Sequence, residues 1–589
     1  MRSKNNYWSG YILFVTQNKV CRSIFLSYKF SLVLVLSFTC NVVLRATRAE
    51  AETIFTADNA ALTIKEVTPT DNKNSITDAT LNPASISNEK PREGDVSFQV
   101  QERPIKVKKI KVVGNTLFKP EITKLTKEYQ NKSLTLTELY KLRSAISKLY
   151  TDKGYVNSGA YLPPQKIEDG IVKIQVLEGQ IETIEITGNK HLSDRYITSR
   201  LALSTPIKTE QILERLQLLR LDPLIENVAA ELSAGVAPGM SRLDIKVDEA
   251  DAFNISTSLD NYKSPSVGSN SRNLGLSYNN LLQSGDEINV NYSNTKGGDA
   301  FDIGYAIPVN AKNSQISFTY GINSNNVVED PFTPLDIETK SNFYELSWRQ
   351  PVINQLTQEL ALGLSFSRQH SETSVLDYPF PLSIGADEAG KTNISAIKFF
   401  QEYTKRTDKS VLALRSQFSL GVDLFDATIN NNAPDSRFFA WRGQSQWVRQ
   451  LNEDFLVLLR ADLQLANDLV PLEQFRIGGV NSVRGYRRDI SLSDSGLFTS
   501  AELRIPVWRI AQLDGVLQLS PFIDFGLPWS GGDAIVNVDS LVAIGMGLNF
   551  KAGEGFNARL DYGIPLTNVQ VNGDSLQEAG VTFSTGYSF

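Results

Sequence analysis

Phe556-Asn557-Ala558-Arg559-Leu560-Asp561-Tyr562-Gly563-Ile564 alternates without a break. Phe556, Ala558, Leu560, Tyr562 and Ile564 fall on one parity, Asn557, Arg559, Asp561 and Gly563 on the other. A period of two puts the sets on opposite faces of a strand. Upstream the pattern recurs: Ile288, Val290 and Tyr292 against Glu287, Asn289 and Asn291, and Ile316, Phe318, Tyr320 and Ile322 against Gln315, Ser317, Thr319 and Gly321. From about residue 252 onward helical periodicity is gone. Sixteen strand segments can be marked, near 252–261, 270–281, 286–296, 300–309, 313–324, 341–351, 356–368, 393–405, 409–422, 436–450, 455–467, 495–508, 515–527, 540–552, 554–564 and 581–589. Long connections fall at 325–340, 369–392 and 468–494.

A β-sandwich alternates as well, so alternation alone does not decide. Three features favour a membrane barrel. The segments are numerous, even in number and about ten residues long. Aromatics gather near their ends, as interfacial girdles require. No apolar run downstream of the leader is long enough for a spanning helix, and a membrane chain without one must close into a barrel. The fold class expected is membrane all-β, a 16-stranded antiparallel transmembrane β-barrel over 251–589, preceded by two α+β modules.

Those modules come from an internal repeat. Lys109-Ile110-Lys111-Val112-Val113-Gly114-Asn115 matches Thr183-Ile184-Glu185-Ile186-Thr187-Gly188-Asn189. Each is an alternating strand closed by a Gly-Asn turn. In the first copy, 104–179, Thr135 and Glu138 form a capping box. Leu139, Leu142, Ile146 and Leu149 continue it at helical spacing, and Gly154 can end the helix. Tyr155–Tyr161 and Ile171–Leu177 read as strands around the rigid Leu162-Pro163-Pro164-Gln165 turn. The second copy, 180–250, has a helix near Thr209–Leu219 and the alternating Leu243–Val247. Such modules are either plain α+β units or binders of extended polypeptide that add it to a strand edge.

The first 51 residues read as a cleavable export signal. Arg2, Lys4, Lys19, Arg22 and Lys29 precede the apolar run Phe30–Leu44, and Ala49-Glu50-Ala51 offers a cleavage site. A single membrane anchor is the alternative, but the run is short and contains Ser37, Thr39 and Asn41. The whole chain carries a formal charge of −6. Both cysteines, Cys21 and Cys40, lie in the leader, so the exported chain has no disulfides. Residues 52–103, rich in Thr, Asn, Asp, Ser and Pro, read as a flexible periplasmic arm.

Composition excludes several functions. Nothing is strongly basic, so no nucleic-acid partner is expected. There is no G-x-x-x-x-G-K-[ST] nucleotide loop. Only His191 and His370 are present, and with no cysteine beyond the leader neither a thiol nucleophile nor a His-rich metal site can be built. No cofactor, no metal and no enzyme activity are expected.

One long connection holds Gly478-Gly479-Val480-Asn481-Ser482-Val483-Arg484-Gly485-Tyr486-Arg487-Arg488. Its three glycines permit a tight hairpin, and its flanks read as spanning strands, so it is expected to tuck inward. Together, the paired modules, the sixteen segments and Val483-Arg484-Gly485-Tyr486 resemble one family: the two-partner secretion transporters of the haemolysin secretion/activation group, within the BamA-like superfamily. The resemblance covers most of 104–589. It implies that the modules are POTRA domains and that the sixth extracellular loop carries a VRGY motif into the barrel. Phe522-Ile523-Asp524-Phe525-Gly526 matches the family's F-x-D-x-G signature, and Pro163-Pro164-Gln165 with the Gly-Asn repeats looks like its two POTRA domains. The family's N-terminal plug helix has no convincing match in 52–103. By resemblance Arg484 contacts Asp524 on the inner wall, either pinning the hairpin and shaping the pore or simply stabilising the barrel. The final segment, ending on Phe589, resembles the signal that barrel assembly machinery reads. The expected function is an outer-membrane pore, monomeric and embedded in outer-membrane lipid. Its POTRA domains, in the periplasm, would bind an unfolded exported adhesin- or haemolysin-like protein. The rivals are a barrel-assembly insertase, which usually carries more POTRA domains, and a passive porin or adhesin.

Overall fold

The computed structural model describes residues 103–589 apart from 432–433, 453, 532–537 and 571–572, together with the two-residue strand Lys65–Glu66. The expected export signal and nearly all of the arm, including any plug helix, lie outside the described residues.

The first module packs helices Lys119–Lys127 and Leu136–Thr151 on a sheet of Lys109–Val113, Ile171–Leu177 and Gly159–Tyr161, with Ile171–Leu177 in the middle. The capping box forms as the sequence predicts. Thr135 Oγ1 accepts from Glu138 N, and the Glu138 carboxylate accepts from Thr135 N. Leu139, Leu142, Ile146 and Tyr150 are the helix's buried stripe, and Leu149 packs at its margin. Sequence reading errs at Tyr155–Tyr161, where only Gly159–Tyr161 is strand. Tyr155 instead turns back with its N–H on the Tyr150 carbonyl, and its ring meets Phe118 and Tyr150 edge-on. An aromatic that fills the core at a turn imitates the first residue of a strand. Gln165 does more than turn the chain: its side-chain amide bonds both backbone groups of Lys173, like a one-residue strand.

The second module repeats the plan, with helices Asp194–Leu201 and Thr209–Arg220 on Gln180–Thr187, Met240–Glu249 and Ile225–Ala234. In both copies the strand before the Gly-Asn turn lies parallel to the copy's last strand. Lys65–Glu66 adds, also parallel, to the outer edge of Ile225–Ala234. The short helices Lys119–Lys127 and Asp194–Leu201 are absent from the sequence reading. Their signals are Pro120 in the first turn of one and the capping Ser193 of the other.

The repeat also builds the same carboxylate clasp twice. Glu178 accepts from the backbone N–H groups of Thr116 and Leu117 and from the hydroxyls of Thr116 and Tyr150. Glu249 accepts from the N–H groups of Lys190, His191 and Leu192, and His191 Nδ1 lies 3.0 Å from it. Each glutamate thus gathers the amides that follow a Gly-Asn turn. Burial raises both carboxyls, but these hydrogen bonds outweigh it and hold both below the ordinary value of 4.5.

Sixteen antiparallel strands then close into a barrel, from Phe253–Asp260 to Val581–Ser588, with an extra two-residue strand, Tyr378–Pro379, at one rim. All sixteen segments marked in the sequence become strands. The partition of side chains is the reverse of a soluble protein's. Tyr292, Phe318, Leu346, Leu364, Phe399 and Leu548 point outward and are exposed. Asn291, Asp302, Thr319, Glu345, Ser365 and Gln369 point inward and are buried. Only a lipid surround makes that partition favourable.

Two strands are longer than alternation predicts. Ile337–Asn354 and Gln358–Val375 span 18 residues each. Their outward faces turn polar at the far end, at Glu338 and Lys340 and at Arg368, His370 and Glu372, while the hydrogen-bonded ladder runs on. The apolar signal ends where the lipid does; the sheet does not. His370 belongs to this extension, with Nδ1 2.6 Å from Asn393 Oδ1.

The clasps yield a prediction with a definite sign. A carboxylate with a lowered folded pKa stabilises fully above its unfolded value and ceases to do so as pH falls through the folded one. In the full chain in detergent, Glu178→Gln should remove hydrogen-exchange protection from residues 114–118 at neutral pH. The unmodified chain should lose the same protection only on acidification below about 4.5. Equal protection in both chains at neutral pH would contradict the clasp.

Candidate functional site

The sixth connection at the far end of the barrel, 467–494, does not stand in solvent. Phe475–Ile477 pairs with Ser491–Ser493 as a small ribbon, and the segment between them folds back against the inner wall. Gly478 and Gly479, at φ 103 and 83, make its first bend, and Gly479 N–H donates to the Tyr486 carbonyl. Ser482 Oγ accepts from Gly478 N–H at 2.7 Å.

Arg484, at the tip, is 1% exposed. Its Nε and Nη2 donate to the two oxygens of Asp524 at 2.7 and 2.9 Å, and its own backbone N–H donates to Asp524 Oδ2 at 3.1 Å. Nη1 donates to Glu502 Oε2 at 2.7 Å. The guanidinium carbon lies 3.4 Å from the centroid of the Phe522 ring. The planar fork therefore meets a carboxylate edge-on and an aromatic face-on, which a lysine could not do. Asp524 is fully buried and also accepts from Ser500 Oγ at 2.6 Å.

The network extends beyond this pair. Glu502 accepts from Arg504 Nε and Arg559 Nη2, and Arg559 forks onto Asp561. Arg484, Arg504 and Arg559 thus face Asp524, Glu502 and Asp561, three positive groups against three negative. Sequence reasoning finds Arg484 and Asp524 and misses the other four. The signal was available: Glu502, Arg504, Arg559 and Asp561 are charged residues on the inward parity of strands Ser495–Ile510 and Phe556–Pro565.

The neighbouring motif residues serve the same contact. Gly485 has φ 88, and a Cβ there would stand 2.9 Å from the Gly563 carbonyl. Gly526 is the space into which Ile477 and Val483 fit. Val483 is wholly buried among Phe475, Ile477, Phe498 and Leu541. Tyr486 Oη donates to the Val542 carbonyl at 2.8 Å and accepts from Thr567 N–H at 3.0 Å. Phe522 and Asp524, two apart on one strand, both point inward, so F-x-D-x-G reads as stacking ring, carboxylate and gap.

Further contacts tie the hairpin to distant loops. Arg487 forks onto Glu329 at 2.7 and 2.9 Å and reaches Glu578. Arg488 N–H donates to Gln577 Oε1, and its Nη1 donates to the Tyr262 carbonyl. Gln577 Nε2 donates to the carbonyls of Asn261 and Lys263. Tyr262 follows the first strand and Gln577 precedes the last, so Arg488 bridges the closing seam. That seam pairs Ser256 with Ser588 through Asp260 with Ser584. Phe589, 71% exposed, ends the seam at the opposite rim, its N–H on the Ile255 carbonyl.

A polar lumen holding a buried loop, reached through tandem α+β modules, defines an outer-membrane transporter of the kind with periplasmic POTRA domains. Comparison with known proteins agrees. Residues 239–550 match the model for the haemolysin secretion/activation protein ShlB/FhaC/HecB, and residues 105–179 match the ShlB-type POTRA domain. The chain belongs to the ShlB/FhaC/HecB family. It is similar to the heme/hemopexin transporter protein HuxB of Haemophilus influenzae strain 86-028NP, at 25% identity over 78% of this chain and 82% of HuxB. The fold resembles CdiB from Escherichia coli, with a TM-score of 0.63 at 20% identity, over 84% of this chain and 92% of CdiB. It also resembles CdiB from Acinetobacter baumannii, with a TM-score of 0.57 at 17% identity, over 83% and 91%. The protein is therefore an outer-membrane transport pore, not an enzyme, that exports an unfolded partner protein.

Because Arg484 and Asp524 share one buried contact, their losses should not add. Arg484→Ala and Asp524→Ala should each destabilise the folded barrel by about 3–5 kcal/mol, the cost of leaving a buried charge without its partner. The double variant should lose less than the sum. Denaturant unfolding in detergent measures it, and strict additivity would contradict the shared contact.

Proposed function

We propose that the exported chain is first held along an outer strand edge of the POTRA domains and then threads the barrel past the displaced VRGY hairpin. The observation that carries this reading is the edge of Ile225–Ala234, which already accepts an added strand at Lys65–Glu66. A site that pairs main chain with main chain suits an unfolded client, because it reads backbone rather than sequence. A cavity of about 390 Å³ separates the second module's helices from the near rim of the barrel. Arg200 and Arg215 line it from the module, and Lys312, Arg349 and Arg406 from the rim. It supports entry at this end. In this reading Arg484, with Asp524 as its lumen partner, gates as well as stabilises. The hairpin is the plug that moves, and Val483, Gly485, Tyr486, Phe522 and Gly526 shape its seat.

The same reading treats 1–51 as the export signal, 52–103 as a periplasmic arm, 104–179 and 180–250 as the two POTRA domains, and 251–589 as the pore. It takes the pore as a monomer, and the alternating segment that ends on Phe589 as the part that barrel assembly machinery reads. With no nucleotide motif in the sequence, folding of the client outside the cell supplies direction.

Removal of 104–250 should reduce secretion of the partner protein to background while the barrel remains in the outer membrane. The levels of other outer-membrane barrels should stay unchanged. Continued secretion would refute docking on the modules, and loss of other barrels would favour an insertase.

A further inference from the structure

We propose that the turn Asp423-Leu424-Phe425-Asp426 is a hook that the barrel lays into the outer leaflet of the membrane. Its ligand is the acyl region of that leaflet. The hook belongs to the barrel itself and is independent of what passes through it.

The turn opens the connection 423–438 between strands Ser410–Val422 and Phe439–Gln450 at the far end. The sixth connection at that end folds into the lumen. This turn goes the other way. It lies on the outward face of the neighbouring strand Lys391–Thr407, where Ser395 Oγ donates to the Leu424 carbonyl at 2.7 Å. Asn393 Nδ2 donates to the Asp426 carbonyl at 3.0 Å. Ser395 shares its outward parity with Ile397 and Phe399, both exposed, yet is itself fully buried. The turn covers it together with Arg368 and Ser436.

The turn's apolar side chains then point away from the protein. Leu424 is 48% and Phe425 66% exposed. Phe425 meets Phe366 edge-on, with ring centroids 5.6 Å apart. Phe366 belongs to the outward row Leu362, Leu364, Phe366, which gives way at Arg368 to charged residues. The hook therefore joins the lipid-facing belt at its outer boundary, the level that aromatic side chains favour. Phe425 and Asp426 both adopt left-handed backbone, φ 56 and 54. That conformation is unfavourable for a bulky side chain. In a water-facing turn, glycine or asparagine would serve better and leave no aromatic exposed. Continuity with the lipid belt selects lipid as the occupant over a protein partner.

The test uses the full chain with Cys21 and Cys40 changed to serine, so that a single introduced cysteine can carry a nitroxide. Phe425→Cys and, independently, Leu424→Cys are labelled and reconstituted into phosphatidylcholine vesicles. Leu364→Cys serves as the lipid reference and Glu388→Cys as the water reference. Collision with oxygen, which partitions into the bilayer, is compared with collision with a polar nickel chelate. Labels at 425 and 424 should favour oxygen, as at 364. A label as open to the chelate as that at 388 would overturn the proposal. A label shielded from both reagents would also overturn it, because protein rather than lipid would then cover the turn.

Discussion

A guanidinium enclosed within a protein must be matched, and in this molecule the match fixes where a whole loop lies. Arg484 reaches the wall through Asp524 and Glu502, with the Phe522 ring against its face. Removal from water penalises every charge in the cluster, and only the close, forked geometry compensates. Alternative seats for the tip are costly, because any displacement strands a positive group and a negative one together. The constraint also explains the glycines. The hairpin approaches the wall closely enough that Gly485 and Gly563 meet backbone to backbone. The arginine needs the approach, and the glycines permit it.

The same loop reaches across the closing seam of the barrel at its far end. Strand-to-strand pairing is short at the seam, five pairs from Ser256–Ser588 to Asp260–Ser584. Asn261 lengthens it: its side chain accepts from Phe583 N–H and donates to the Val581 carbonyl, as a strand residue would. Gln577 and Arg488 then bind across it from above. The hairpin that carries the tip thus also touches the seam, although the seam itself carries none of the buried charges. At the other rim the second module leans on the first turn of the barrel, with Asn280 Nδ2 on the His191 carbonyl. The His191 backbone also sits in the Glu249 clasp, so barrel turn, Gly-Asn turn and clasp form one joint.

Much of this was legible in the sequence, for identifiable reasons. Alternation in 556–564 is a two-sided environment written residue by residue, and it survives in every strand because lipid and lumen differ so sharply. Thr135 and Glu138 announce a helix start because capping is local chemistry. The VRGY and F-x-D-x-G motifs lie about forty residues apart, and only resemblance joined them; no period or propensity brings Arg484 to Asp524. The share of Glu502, Asp561 and Arg559 was hidden for a related reason. On an inward face any charged residue looks like solvated lumen lining until the loop that covers it is known. Tyr155 was misread as strand because an aromatic that packs at a turn has the same letter as one that packs on a sheet. Glu178 and Glu249 gave no signal singly. Only superposition of the two repeats reveals a glutamate at the end of each last strand.

In the reading proposed above, these buried charges keep the lumen closed by holding the hairpin within it. Single-channel conductance in planar bilayers tests it most directly, with Arg484→Ala compared with the unmodified chain under identical salt. The account predicts a larger, fluctuating current for the variant, because an unpinned hairpin vacates the lumen intermittently. An unchanged and steady current would contradict it and leave Arg484 a role in stability alone.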